Sequence, residues 1–178
     1  MSGLPQLHMR KKDMTNLPAL NLPEGLSVHT HVPGKESEWE DLVEKAFGER
    51  YPFAALLSEA KDYVGGYKPE HVFYIAKDGK DIATATGMEK DIYPGEGWFR
   101  MVGTDPDARG LGAGKLVCLA VLHSLAERGY KSTVLSTDDE RIPAISMYLS
   151  LGFEPMYIHE KDKERWDKVL KIINERRK

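Results

Sequence analysis

The chain is poor in cysteine: Cys118 is the only one in 178 residues. No intrachain disulfide can form, and a cysteine-rich metal site is ruled out. Long apolar runs are missing as well. None approaches the roughly 20 residues that cross a bilayer, and Met1 to Met14 lacks the apolar block of a secretory signal. The cytoplasm is therefore the default location, and no membrane partner is expected. Nor is one sign of charge in excess, because the formal net charge of −3 argues against nonspecific binding of nucleic acid. The six histidines show no zinc-type pairing, His29 and His31 alternating on one extended run, so no metal is implied.

What is present is an ordinary globular composition, 41% hydrophobic and 30% charged, in a chain long enough for one domain with a real core. Residues 1 to 25 mix Pro5, Pro18, Pro23 and Gly25 with charges and leucines and read as an extended lead-in; residues 26 to 178 read as a single domain. Leu26 to Val32 alternates like a half-buried strand, and Glu36 to Phe47 places Trp39, Leu42, Val43, Ala46 and Phe47 on one helical side before Gly48. A short helix is expected from Phe53 to Lys61, then a Gly65-Gly66 loop between Tyr63 and Tyr67. Tyr51, Phe53 and Tyr63 either line an acceptor pocket or cap the core.

Val72 to Ala76, the turn Asp78-Gly79 and Asp81 to Met88 predict an antiparallel hairpin. Pro94-Gly95 then leads to a third strand, Gly97 to Thr104, completing a meander. A helix over Leu111 to Arg128 ends at Gly129, and a strand over Ser132 to Thr137 should lie parallel to the preceding one, since a helix joins them. A helix from Pro143 to about Leu151, a last strand from Phe153 to His159 and a charged amphipathic helix from Glu160 to Lys178 follow. The apolar stripe of that last helix, with Trp166, Val169, Leu170, Ile172 and Ile173, packs either on its own domain or against a second copy in a homodimer.

The chemistry concentrates at Arg109-Gly110-Leu111-Gly112-Ala113-Gly114-Lys115, where strand, glycine-rich turn and helix start meet. Glycines let a ligand approach the main chain, and the first N–H groups of a helix have no internal partner, so the junction suits a phosphorylated ligand. The spacing fails as a nucleotide-hydrolase phosphate loop, since Arg109 stands where the first glycine is needed and Leu116 where Ser or Thr is. It is also weak as a dinucleotide fingerprint, because Lys115 occupies the third glycine position and strands precede the loop as a meander.

Arg/Gln-x-x-Gly-x-Gly/Ala is filled by Arg109, Gly112 and Gly114, and Ala144-x-x-x-Tyr148-x-x-x-Gly152-Phe153 lies downstream at a suitable distance. With these two ordered motifs the chain resembles the Gcn5-related N-acetyltransferase (GNAT) superfamily over roughly residues 26 to 160. The resemblance implies an α/β fold with a twisted mixed sheet flanked by helices, the antiparallel meander being followed by a parallel β-α-β unit at the coenzyme site. It implies acetyl-CoA as co-substrate, its pyrophosphate on the N–H groups of Gly110, Leu111, Gly112, Ala113, Gly114 and Lys115, and its pantetheine between two parted parallel strands beside Val102, Gly103 and Thr104. Arg109 and Lys115 would add positive charge, although Arg109 serves equally as a brace for the loop.

Tyr148 matches the position at which members often place the general acid for the coenzyme thiolate; a core tyrosine is the plainer reading. The strand Trp98 to Val102 lacks the acidic base of many members, which leaves Glu89, Glu96, Asp138 and Asp139 as candidates. Arg141 stands where many members have an asparagine. Cys118 falls on an apolar helix and reads as an inert buried thiol, so direct attack in a ternary complex is expected rather than an acetyl-enzyme. The implied partners are acetyl-CoA and an amine acceptor: a small molecule, a peptide or a protein. A noncatalytic coenzyme-binding sensor on the same fold is the competing function.

Overall fold

A computed structural model of the chain describes residues 4–59 and 66–176. Its elements in chain order are β1 (Leu7–Lys11), β2 (Leu26–Thr30), α1 (Glu36–Phe47), α2 (Phe53–Glu59), β3 (Val72–Lys77), β4 (Lys80–Glu89), β5 (Gly97–Thr104), α3 (Ala113–Glu127), β6 (Thr133–Thr137), α4 (Ile142–Ser150), β7 (Glu154–Met156) and α5 (Asp162–Arg176). Tyr63, Gly65 and the expected end of α2 at Lys61 lie outside the described residues.

The strands form one mixed sheet in the order β2-β3-β4-β5-β6-β1-β7. From β2 to β5 the pairing is antiparallel throughout, and β5 and β6 are parallel. The expected meander and parallel crossover are thus both present, as in the GNAT fold. Asp78 and Gly79 turn the β3–β4 hairpin with φ of 50° and 80°, the left-handed pair that matches strand twist. Gly129, at φ 93°, ends α3, and the Tyr130 N–H reaches back to the Leu125 carbonyl at 3.1 Å.

One expectation is corrected at the N-terminus. Within the segment assigned to an extended lead-in, residues 7–11 are a strand of the sheet, inserted between β6 and β7 and antiparallel to both. Leu7 and Met9 are fully buried. A five-residue strand carries too short an alternation to declare its partners, which lie more than a hundred residues away in the chain. The last strand is also shorter than expected, covering Glu154–Met156, because Tyr157 and Ile158 pass into the turn before α5 and are exposed.

Two cores lie on opposite faces of the sheet. On one face Leu7, Met9, Ile75, Ala83, Phe99 and Leu135 pack under α3, α4 and α5. Trp166, Val169 and Ile173 belong to this cluster, so the buried stripe of α5 serves its own domain. On the other face Tyr74, Met88, Trp98 and Val134 pack under α1 and α2 through Trp39, Leu42, Val43, Phe53 and Leu56. Phe53 is core, its ring edge-on to Trp39 at 5.0 Å, and burial of such a ring contributes about 2–3 kcal/mol. α3 approaches the sheet closely because Gly87 and Gly97 have no side chain, and a Cβ at either would meet Val121 or Leu125 within 2.7 Å.

Candidate active site

The site begins with a defect in β5. Thr84 is paired with Gly103 and Thr86 with Arg100, so Met101 and Val102 together oppose Ala85 alone. This is a β-bulge, and Met101 sits at φ 51° to make it. On its other side β5 follows β6 only through Gly97–Thr133, Trp98–Val134 and Phe99–Leu135. Beyond Phe99 the register with β6 ends among the described residues, and the two parallel strands part into a gap. Main-chain N–H and C=O groups left unpaired in this way call for a ligand with amides of its own.

The glycine loop closes one end of the gap. After Thr104 the Asp105 carboxylate accepts from the Asp107 N–H at 3.0 Å and starts the turn Pro106–Ala108. Asp105 is 2% exposed. Burial works against its charge, but the Asp107 N–H and the ammonium groups of Lys45 and Lys80, each 3.6 Å away, outweigh that and hold its pKa below the ordinary value. Gly110 and Gly112 then take φ of 85° and 74°. Gly112 is the residue before α3 and offers no side-chain cap. The first backbone bond back from α3 is Leu116 N–H to the Gly112 carbonyl, 3.0 Å, and none of the N–H groups of residues 110 to 115 has a backbone partner among the described residues. A row of donors without backbone partners at the positive end of a 15-residue helix is an arrangement suited to an anion.

Side chains support that reading. Arg109 and Lys115 are exposed and enter no ion pair among the described residues. No hydrogen bond from the Arg109 side chain to the loop appears among them either, so the brace reading finds no support. Gly114 faces the gap end, where an added Cβ would lie 2.9 Å from Thr104 Oγ1 and 3.6 Å from Met147 Sδ. The fold therefore brings Val102, Gly103 and Thr104, the loop, and α4 together. Gly103 packs against α1, where an added Cβ would lie 2.9 Å from the Ala46 Cβ and 3.1 Å from the Phe47 ring.

Tyr148, on α4, is 5% exposed, with its ring 5.9 Å from that of Phe153. Burial, with a smaller contribution from Cys118 and against the pull of Arg141, raises its phenol far above the ordinary value and keeps it protonated. Cys118 is a fully buried free thiol, and burial pushes its pKa up as well, which leaves it no thiolate to attack with. Arg141 lies across the far side of the gap, its guanidinium 4.5 Å from the centre of the Phe47 ring and its Nε donating to Asp138 at 3.2 Å.

The four carboxylates considered as bases are all engaged. Glu89 accepts from Tyr130 at 2.7 Å and the Gly95 N–H at 2.9 Å, and Glu96 accepts from Arg10 at 2.8 Å and Ser132 at 2.7 Å. Glu89 ends β4 opposite Gly97 and Glu96 immediately precedes β5, where the strands are still paired, and the fold does not bring them to the gap. Asp138 accepts from Gln6 and Arg141, and Asp139 from Arg165. A cluster that the sequence did not reveal lies instead on the α1 and α2 face. Arg100 pairs with Glu59 and donates to the Tyr51 hydroxyl at 2.9 Å, and that hydroxyl donates to Glu59. Burial and the Glu59 bond raise the Tyr51 phenol to about 12. Tyr51 is half-buried and packs against the same core that holds Phe53, with its hydroxyl in this polar cluster.

A model of the acetyltransferase (GNAT) family matches residues 36–153. Among curated proteins, the mycothiol acetyltransferase of Thermomonospora curvata is 32% identical over 142 residues, 77% of this chain and 47% of that protein. The mycothiol acetyltransferase of Thermobispora bispora is 32% identical over 157 residues, 82% of this chain and 52% of its own. The chain thus spans about half the length of the curated relatives it matches. A solved GCN5-related N-acetyltransferase from Sphaerobacter thermophilus superposes with a TM-score of 0.70 at 27% identity, over 86% of this chain and 50% of its own. Because the family match runs from the start of α1 to Phe153 and takes in both sides of the parted sheet, the chain belongs to the acetyltransferase (GNAT) family.

Proposed function

We propose that the protein is an acetyl-CoA-dependent N-acetyltransferase that moves an acetyl group to a primary amine by direct attack in a ternary complex. The observation that carries this reading is the gap between β5 and β6, whose register ends at Phe99, closed by a helix start whose N–H groups have no backbone partner among the described residues. The coenzyme supplies an activated thioester, and the chain's residues position it. N–H groups of residues 110 to 115 take the pyrophosphate, with Arg109 and Lys115 adding charge and the α3 dipole aiding. Main-chain groups of Val102, Gly103 and Thr104 take the pantetheine amides as a further strand would.

Tyr148 is the proton donor to the departing thiolate. Its phenol is held neutral by burial, the form a general acid needs. With Cys118 fully buried, direct transfer is the simpler route. No helix among the described residues is long and apolar enough to cross a membrane, which is compatible with work in the cytoplasm on small amines, peptides or proteins. A mycothiol-type acceptor, the class named for the relatives, is the first to screen.

The test is calorimetric titration with acetyl-CoA, NADH and ATP as controls, on the natural chain and on Gly112→Glu. A Cβ at Gly112 meets nothing within 4 Å, so the variant adds a carboxylate to the anion site at the cost of about 1 kcal/mol of backbone strain. Selective acetyl-CoA binding, weakened at least tenfold in the variant, about 1.4 kcal/mol, is the expected result. A folded protein that binds no acetyl-CoA would overturn the reading. Binding without acetylation of any amine would leave the sensor function in its place.

A further inference from the structure

β1 brings a histidine to the other side of the gap. Leu7 and Met9 point into the core beneath α3, α4 and α5, so His8 and Arg10 lie on the opposite face of the strand. That face is shared with Trp98 and Tyr93, whose rings lie 6.1 and 6.2 Å from the His8 ring. His8 is the register partner of Ser136 in β6. Ser136 is the first residue beyond Leu135, the last to pair with β5. The His8 backbone therefore lies one strand spacing, about 5 Å, beyond β6 at the level where the gap opens, and its ring leans toward Trp98 of β5. Gln6 ties this corner together, accepting from Ser136 Oγ at 2.7 Å and donating to Asp138 at 3.1 Å.

The amine to be acetylated needs a proton acceptor on this side, because the α3 and α4 side is taken by the loop and Tyr148. Each carboxylate described above is held by a cation or a hydrogen-bond donor. His8 enters no ion pair among the described residues, and its Nδ1 is buried without a hydrogen bond of good geometry, which leaves Nε2 as the nitrogen that can meet a substrate. Burial lowers the proton affinity of the ring below the usual 6.5; the Gln6 carbonyl opposes this, His159 and Lys90 assist it, and Asp162 opposes it. Arg10 is the cation on the same strand and Lys90 the one just after β4, lying 4.8 Å from the Trp98 ring centre. Tyr93 is the neighbouring phenol, and Asp138, His159 and Asp162 are the groups at the turns after β6 and before α5.

We propose that His8 is the general base of the acetyl transfer, an inference that rests on the acetyltransferase reading. The amine nitrogen forms its bond to the thioester carbonyl carbon while its proton passes to His8 Nε2. The carbon–sulfur bond then breaks, and the thiolate takes the Tyr148 proton. The products are an amide and the free thiol, and the His8 proton returns to Tyr148 through solvent.

The test uses the full chain and its His8→Gln and His8→Ala variants, with glucosamine, spermidine, glycinamide and an alanine-terminated peptide as probe amines. Turnover is measured from pH 5 to 9 on the probe that the natural chain acetylates fastest. His8→Gln keeps a polar side chain at a half-buried position, so the result does not hang on the truncated variant folding. Both variants should lose at least about a hundredfold in kcat while binding acetyl-CoA within twofold by calorimetry. The acid limb of the natural profile, inflecting below pH 6.5, should vanish, and added imidazole should restore His8→Ala at least tenfold. A variant kcat within threefold of the natural one, or an unchanged acid limb, sinks the assignment of His8 alone. A natural chain that binds acetyl-CoA but acetylates none of the probes fails the acetyltransferase reading and removes this inference with it.

Discussion

Burial acts on Tyr148 and Cys118 in the same direction and gives them opposite uses. Both are driven toward their neutral forms; for a thiol that means no nucleophile, and for a phenol it means a retained proton to give away. Tyr148→Phe removes one hydroxyl and keeps the ring against Phe153. We expect it to lower kcat about a hundredfold, with the affinity for acetyl-CoA unchanged within threefold. Steady-state kinetics at saturating acetyl-CoA would check this, and a variant that kept its turnover would return Tyr148 to a core role. At this scale the sequence was informative where a motif names a position, as with Gly112 and Tyr148. It was silent on Arg100, Tyr51 and Glu59, because the three meet only after α2 folds over β5, and no spacing along the chain announces it.

Among the elements, β5 does most to make the site. Its bulge turns the strand away from β6, and the cost of Met101 at positive φ, of order 1–3 kcal/mol, is carried by the pairing with β4 on its other side. α1 supports the bulged segment from behind through Ala46 and Phe47, and the contact needs a bare backbone at Gly103. Gly103→Val should push α1 off the sheet and destabilise the fold by about 1–3 kcal/mol. For a chain of this size that is a fall in Tm of roughly 2–10 °C, to be read by differential scanning calorimetry. A Tm within 1 °C of the natural chain would show that the close packing of β5 on α1 is not needed. The helix α1 itself was legible to the residue, since a 3.6-residue apolar period and Gly48 both lie within its own span. The bulge was not, because Arg100-Met101-Val102 is ordinary strand sequence and the extra residue is defined only against Ala85 of the neighbour.

At the scale of the whole molecule, the insertion of β1 links the edge strand β7 to the rest of the sheet. It separates β6 from β7, buries Leu7 and Met9 completely, and pairs His8 with Ser136 of β6. Deleting residues 2–12 would expose both neighbouring strand edges and leave two vacancies in the core, each worth about 2–5 kcal/mol, against a typical total stability of 5–15 kcal/mol. The shortened chain should lose its near-ultraviolet circular dichroism and its cooperative melt. A soluble product melting within 5 °C of the natural chain would mean that β1 is an accessory. The other end of the sheet corner is fastened by α5: Asp162 accepts from the Ile158 and His159 N–H groups and bonds Arg165, which in turn holds Asp139.

What the sequence alone determined is whatever is written in neighbouring residues. The strand-like runs of β3 and β5, the alternation of β4, the apolar period of α1 and α5, the apolar run of α3, the turns at Asp78-Gly79 and Gly129, and the two motifs that mark the loop and Tyr148 all depend on residues a few positions apart. The tertiary structure decided which surfaces meet: the place of β1 between β6 and β7, the parting of β5 from β6 after Phe99, the capture of Glu89 and Glu96 away from the gap, and the packing of His8 beside Trp98. The physical reason is that periodicity and turn chemistry are local properties of a chain, whereas register, bulges and the pairing of buried polar groups are properties of two segments at once, fixed only when the hydrophobic faces have closed on each other.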